Sequence, residues 1–286
     1  MNTTKIATIS EAGGNYNEDI AHVVSNAAWV LDGATGLSQE NHMPGDSDAK
    51  WYVEAWDTYL TDAVTISDNS LEEIVLAGIA KVNDEYRQIL GGKAIEEIDV
   101  PSSGIALIRW GKEELEYFIL GDCQLWIMKN ESVEKIADYK LPLLDDEVSK
   151  RMNTYIKQGI AASEARNKIK QLLIENRLLK NKKNGYWILS LDQEAVAHAI
   201  SGKLSFNHDD QRAEILLLSD GYYAIVDKYK ALTEKEVFDK IEAKGLESVY
   251  HLIRQIEEKD PNQSRFARFK KSDDASAIFI SFNPMR

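Results

Sequence analysis

Three apolar runs in this chain end in an aspartate: AAWVLDG at 27–33, YFILGD at 117–122 and EILLLSDG at 214–221. A strand so evenly apolar is buried on both faces and cannot carry a free charge in its middle. An Asp at its end can project into a cleft between packed sheets, held by the rigid strand behind it. Acidic clusters recur at Asn17-Glu18-Asp19 and at Ser272-Asp273-Asp274, just before the last apolar run. Carboxylates converging from several strand ends repel one another strongly unless a cation bridges them. Asp-Gly alone is ordinary turn chemistry. Its repetition at strand ends points beyond a turn.

The remaining pattern says what surrounds those ends. Short apolar runs flanking Ser25-Asn26 predict a hairpin over 20–31. Helical spacing predicts helices over 48–64 and 70–89, the second with a Ser70–Glu73 capping box and a stop at Gly91-Gly92. Runs at 105–110, 115–120, 124–128 and 133–137, separated by short turns, predict an antiparallel meander. A polar helical stretch covers 145–180, and strands return at 186–190 and 214–219. Helices follow at 234–244, opened by Thr233 and Glu236, and at 246–259, with a final strand at 275–282. Mostly antiparallel strands with two separate blocks of paired helices predict an α+β fold, two sheets face to face with helices outside. No Pro/Gly/Ser linker divides the chain, so 1–286 reads as one domain with a helical subdomain inserted at 145–185.

Composition excludes several functions. Lys and Arg number 34 against 47 Asp and Glu, a net charge of −13, which is poor material for neutralising nucleic-acid phosphates. The carboxylate excess suits hard divalent cations. Cys123 is the only cysteine, so there is no intramolecular disulfide and no all-thiolate metal site, and a reducing cytoplasm is expected. Cys123 itself reads as a small core residue. The opening MNTTKIATISEAGG lacks the apolar stretch of a secretory signal, and no run approaches the ~20 apolar residues of a membrane span. One island runs against the acidic trend: 161–185 holds seven Lys or Arg and two Glu.

In order and spacing these residues resemble the metal-dependent PP2C-type serine/threonine phosphatases in their bacterial form, over about 10–283. NED at 17–19 resembles the family's N-E-D segment, and DGATG at 32–36 its D-G-x-x-G loop. SSGIALI at 102–108 is similar to its small-residue strand, and GDCQLW at 121–126 to its G-D-S-R turn. LLLSDGYYAIV at 216–226 and DDASAIFI at 273–280 resemble its last two metal-binding segments. The resemblance implies a four-layer αββα sandwich with two Mn²⁺ or Mg²⁺ ions between the sheets. It implies that Asp32 bridges both ions and that Gly33 gives a backbone carbonyl to the first. Asp19 (with Glu18 beside it), Asp220 and Asp273 would hold the second. Asp122 would serve a third, weaker ion, and 145–185 would form the family's flap beside the site. The implied partner is a phosphorylated protein, met by a cytoplasmic monomer with no nucleic-acid or membrane partner.

Three positions depart from the family pattern. Gly14 stands where the family has the Arg that grips the substrate phosphate, Asp274 where Asn is usual, and Ala34 where many eukaryotic members have a His. Replacement cations are sought at Arg265, Arg268, Lys270 and Lys271, or in the basic island, and a replacement acid at His42. Gly14 keeps open a phosphatase-like binding or regulatory module with weak or no activity. A third reading, an unrelated small-molecule phosphoesterase, is disfavoured by the absence of His-rich ligand sets.

Overall fold

The computed structural model describes residues 2–38, 40–205 and 212–283. Among these residues ten strands form two five-stranded sheets, every named pair antiparallel. One sheet has the order β2 (Asp19–Val23), β3 (Ala27–Ala34), β4 (Ser102–Trp110), β5 (Glu114–Leu120), β8 (Ile200–Ser205). The other runs β1 (Asn2–Glu11), β10 (Ala275–Asn283), β9 (Ala213–Leu218), β6 (Gln124–Lys129), β7 (Ser132–Ile136). Apolar residues of both sheets, among them Val30, Ala106, Leu125, Leu217 and Ile278, fill the space between them.

Helices close the outer faces. Helices α1 (Asp48–Ile66) and α2 (Leu71–Leu90) cover the first sheet with Trp56, Leu60, Ile74 and Val82 against Trp29 and Leu107. Helices α5 (Asp220–Asp227), α6 (Glu234–Lys244) and α7 (Glu247–Glu258) cover the second through Tyr222, Phe238 and Ile253. The result is the four-layer αββα order. The caps read from sequence are present: the Ser70–Glu73 box opens α2, Gly91 ends it in the left-handed region, and the Thr233–Glu236 box opens α6.

Two expectations need correction, and a third gains detail. The meander is two hairpins in opposite sheets, because β5 pairs with β4 and β8 whereas β6 pairs with β7 and β9. Gly121, at φ +87°, turns the chain from one sheet to the other. The run at 186–190 is buried but is no strand. Leu189 only bridges Ser103, through bonds of 2.8 and 3.1 Å, where β4 extends past the end of β5. The stretch at 145–180 is two helices, α3 (Lys140–Lys157) and α4 (Ala162–Arg177), sharing a small core of Val148, Met152, Ala165 and Ile169. Strands β1 and β8 and helix α5 complete the architecture without a counterpart in the sequence pattern.

Candidate metal centre

The β2–β3 hairpin sets Asp19 directly opposite Asp32, and β4 sets Gly104 opposite Asp32 on its other side. Asp122 follows the sheet-switching turn at Gly121. Asp220 is the first residue of α5, and its N–H donates to Asp32 Oδ2 at 3.3 Å. Asp273 immediately precedes Asp274 and β10. Four segments of chain, from both sheets, therefore deliver carboxylates to one end of the interior.

These groups strain against each other. Burial, then the charges of Asp274, Asp220 and Asp273, pushes the Asp19 carboxyl well up, despite a hydrogen bond with Ser219. Burial pushes up Asp32 and Asp122 as well, with Asp19 and Asp220 the largest charges acting on them respectively. Asp220 is raised to about 6, by burial first and Asp273 second. Asp19 is 5% exposed and its Oδ2 has no hydrogen-bond partner among the described residues. Leaving a buried carboxylate oxygen unpaired costs about 1–3 kcal/mol or more. A divalent cation removes that cost and the mutual repulsion together. Oxygen-rich ligation of this kind fits Mg²⁺ or Mn²⁺.

Glu18 is already engaged through Oε1, which accepts from the hydroxyls of Thr35 and, at 2.6 Å, Ser47. Its Oε2 lies 3.9 Å from Lys270 Nζ. Lys270 also donates to Asp273 Oδ1 at 3.0 Å. Burial depresses its ammonium, but Asp273 and Glu18 more than offset that, so its pKa is raised. Asp274 accepts backbone N–H bonds from Gly13 at 2.7 Å and Glu18 at 2.8 Å.

The other expected cations separate. Arg265 lines the cleft with its guanidinium over the Phe266 ring. Arg268 turns inward instead: it is 3% exposed, and Nη2 donates to the Asp260 carbonyl at 2.7 Å. It ties down the 260–268 turn, and it also stands among the residues that line the cleft. Lys271 is exposed and lies outside the residues that line the cleft. His42 is fixed through its backbone N–H to Asp48 at 2.7 Å and also lies outside the cleft lining. Much of the basic island is structural. Arg166 donates to the Phe269 carbonyl at 2.7 Å, Lys180 to that of Val100 at 2.5 Å, and Lys182 pairs with Glu97 at 2.7 Å. Arg177 reaches toward the centre, donating to the Thr35 carbonyl at 2.9 Å and Ser102 Oγ at 3.3 Å.

A cleft of about 500 Å³ opens from Asp122, Asp220 and Asp273 and runs between α3, α5 and the 265–270 segment. Asp145 on α3 lines it, and burial followed by Asp220 pushes that carboxyl up to about 7. Nothing in the sequence pattern separated Asp145 from its neighbours Asp146 and Glu147.

A serine/threonine phosphatase of Mycobacterium tuberculosis, PstP/Ppp, matches 99% of this chain with 100% of its own at TM-score 0.57 and 13% identity. The fold is that of the PP2C-type phosphatases. PppA of Pseudomonas aeruginosa, described as a regulatory component of a type VI secretion system, shares the PP2C fold over 97% of each chain at TM-score 0.55 and 17% identity. A PstP catalytic domain holding two manganese ions matches 98% of this chain with 97% of its own, at TM-score 0.53 and 15% identity. No family model matches the sequence, and no curated protein matches it. Against the PP2C pattern, Gly14 is an open position: a Cβ there would meet nothing within 4 Å.

Proposed function

We propose that this protein is a metal-dependent phosphomonoesterase that removes phosphate from phosphoserine and phosphothreonine in proteins. The observation that carries the reading is the clustering of Asp19, Asp32, Asp122, Asp220 and Asp273, of which Asp122, Asp220 and Asp273 line the cleft, with Asp19 Oδ2 buried and unpaired among the described residues. Two Mn²⁺ or Mg²⁺ ions, when bound, lower the pKa of a bound water and neutralise phosphoryl charge. In this reading Asp32 would help to hold both ions, Gly33 would offer its carbonyl to the first, Asp19, Asp220 and Asp273 would hold the second, and Asp122 would serve a weaker third ion. Glu18 acts indirectly, tying Thr35 inside the D-G-x-x-G loop to Ser47 at the start of α1.

Lys270 takes over from the Arg absent at Gly14. Its ammonium sits beside Asp273 and Glu18 while remaining 49% exposed to the cleft. Arg265 stands further along the same wall. The α3–α4 pair acts as a flap, closing the cleft's other side with Asp145 and Lys150. In this reading the protein is a cytoplasmic monomer without nucleic-acid or membrane partners; the lone buried thiol suits a reducing compartment, and the acidic balance is poor material for binding nucleic acid. No helix among the described residues is long and apolar enough to cross a membrane.

The test is p-nitrophenyl phosphate and phosphopeptide hydrolysis with Mn²⁺, by the protein and by Asp32→Ala. Mn²⁺-dependent turnover abolished by the substitution is expected, and its absence refutes the reading. Gly14 favours a second reading, a module that binds phosphopeptides without hydrolysing them. Phosphopeptide binding with no turnover, even in Gly14→Arg, would establish that alternative.

A further inference from the structure

A second pocket, of about 490 Å³, lies between the last turns of α2, the 95–100 segment and the 180–192 segment. None of its lining residues lines the metal cleft, and none is an acid of the metal centre. Its volume is that of a small-molecule site. Its far wall is pinned: the Asn181 N–H donates to the Tyr186 carbonyl at 2.8 Å, and Asn181 Oδ1 accepts the Ile188 N–H at 2.9 Å. Lys180 lines this pocket and is only 6% exposed. An ammonium carries three N–H donors. Lys180 Nζ places one, on the Val100 carbonyl at 2.5 Å, and has no ion pair among the described residues. Burial, then the Arg177 charge, pushes its pKa down to about 7 against the pull of Glu97 and Asp99. A buried cation in this state gains from an anion placed beside it. Tyr86 lines the same pocket, and its buried hydroxyl has no hydrogen-bond partner among the described residues.

We propose that this pocket binds a small organic monocarboxylate, its carboxylate beside Lys180 and its apolar body against Leu90, Ile95 and Leu191. The charges set the ligand's valence. Arg87, Lys180 and Lys182 are the lining cations, and Glu97 and Asp192 the lining acids. Lys182 and Glu97 neutralise each other at 2.7 Å. Asp192 is occupied in part, its Oδ1 accepting the Glu194 N–H at 2.9 Å. What remains balances one negative charge, and Asp99, acting on Lys180 from beyond the lining, opposes a second. A monoanion is therefore favoured over a phosphate dianion. Arg87 is exposed and stands as the outer cation. The apolar lining gives a hydrocarbon body about 25 cal/mol for each Å² it buries, which a bare inorganic anion cannot use. The site holds whether or not the metal centre hydrolyses phosphate.

The experiment titrates the full chain with 4-phenylbutyrate, with its neutral amide and with phenyl phosphate, a dianion near neutral pH. Calorimetry and saturation-transfer NMR read the binding, with EDTA present so that no bound cation competes for the carboxylate. The carboxylate should bind at least about 10-fold more tightly than the other two. Lys180→Met should weaken it at least about 10-fold, the lower end of what one hydrogen bond to a charged group is worth. Lys270→Gln, in the metal cleft, should leave the affinity unchanged. No binding, equal binding of the amide, phenyl phosphate binding as tightly as the carboxylate, or undiminished affinity in Lys180→Met each overturns the proposal. So does a loss in Lys270→Gln without one in Lys180→Met, which would put the anion in the metal cleft. If Lys180→Met does not fold, Arg87→Gln at the exposed rim decides: a several-fold loss is expected, and no loss overturns the proposal. Asp32→Ala should bind the carboxylate like the unsubstituted protein, so this site and the phosphatase reading fail separately.

Discussion

Asp274 holds the backbone N–H of Glu18 at 2.8 Å with one carboxylate oxygen, and its other oxygen takes the N–H of Gly13 at 2.7 Å. The last strand thus fixes the loop that leads into Asp19. The bond pattern also accounts for Asp where Asn is usual. Two acceptor oxygens are needed, and an amide offers one. Asp274→Ala should cost about 2–6 kcal/mol, since two N–H groups lose their partner at ~1–3 kcal/mol each. Asp274→Asn should cost roughly half of that. Urea denaturation measures both, and equal stabilities for the two variants would contradict the two-acceptor account.

Lys270 and Arg268 sit two residues apart and should respond differently. Lys270→Gln removes a cation facing the cleft, so KM for p-nitrophenyl phosphate should rise about 10-fold or more with little loss of stability, given ~1.5–3 kcal/mol for a charged hydrogen bond. Arg268→Met should instead lower stability by about 1–3 kcal/mol, the cost of leaving the Asp260 carbonyl without its buried donor, leaving KM near its original value. Gly14→Arg, with open space around its Cβ, should fold normally and recover part of the Lys270→Gln defect. Steady-state kinetics with Mn²⁺ beside thermal melts separates these outcomes. No KM change in Lys270→Gln would remove Lys270 from the substrate site.

Arg177 joins the end of α4 to the loop after Asp32 through the Thr35 carbonyl and Ser102. Arg177→Ala should loosen that loop and weaken Mn²⁺ binding several-fold, and Arg177→Lys should restore little, because one ammonium cannot span both acceptors as the guanidinium fork does. Calorimetric Mn²⁺ titration checks it. Unchanged affinity in Arg177→Ala would make the contact purely structural.

These residues also mark how far the sequence could be read. The capping boxes, the β2–β3 hairpin and the Asp-terminated strands depend on neighbours in the chain, so local patterns reveal them. The sheet switch at Gly121 was missed because a three-residue connection at 121–123 looks like a hairpin turn until the partners of β6 are known. Edge strands β1 and β8 carry many half-exposed residues and lack the apolar runs of central strands. Asp145, Arg177 and Asp274 acquire their roles only through contacts with distant segments: Asp274 lies 256 residues from Glu18 along the chain. The same holds for Arg268. Its charge is visible in sequence, its burial against Asp260 is not.

The pH response of the metal-free protein follows from the raised carboxyls. Asp220 is lifted to about 6 and Asp145 to about 7, both from 3.8, burial being the first cause in each, while Asp19, Asp32 and Asp122 move in the same direction. Between the unfolded value near 4 and those folded values, the folded protein holds more protons than the unfolded chain. Stability then falls as pH rises. Glu234, Glu236 and Asp260 are lowered and act oppositely, but their loss of stability comes as pH falls below about 4.5, outside this window. With EDTA present, the melting temperature should therefore decline from about pH 4.5 to 7. Mn²⁺ needs the ionised carboxylates, so its stabilisation should be small at pH 5 and large at pH 8. Melts across that range with EDTA and with Mn²⁺ test both halves. A melting temperature that climbs with pH in EDTA, or an equal Mn²⁺ increment at pH 5 and 8, would mean the cluster is not the strained, cation-seeking group of acids its geometry describes.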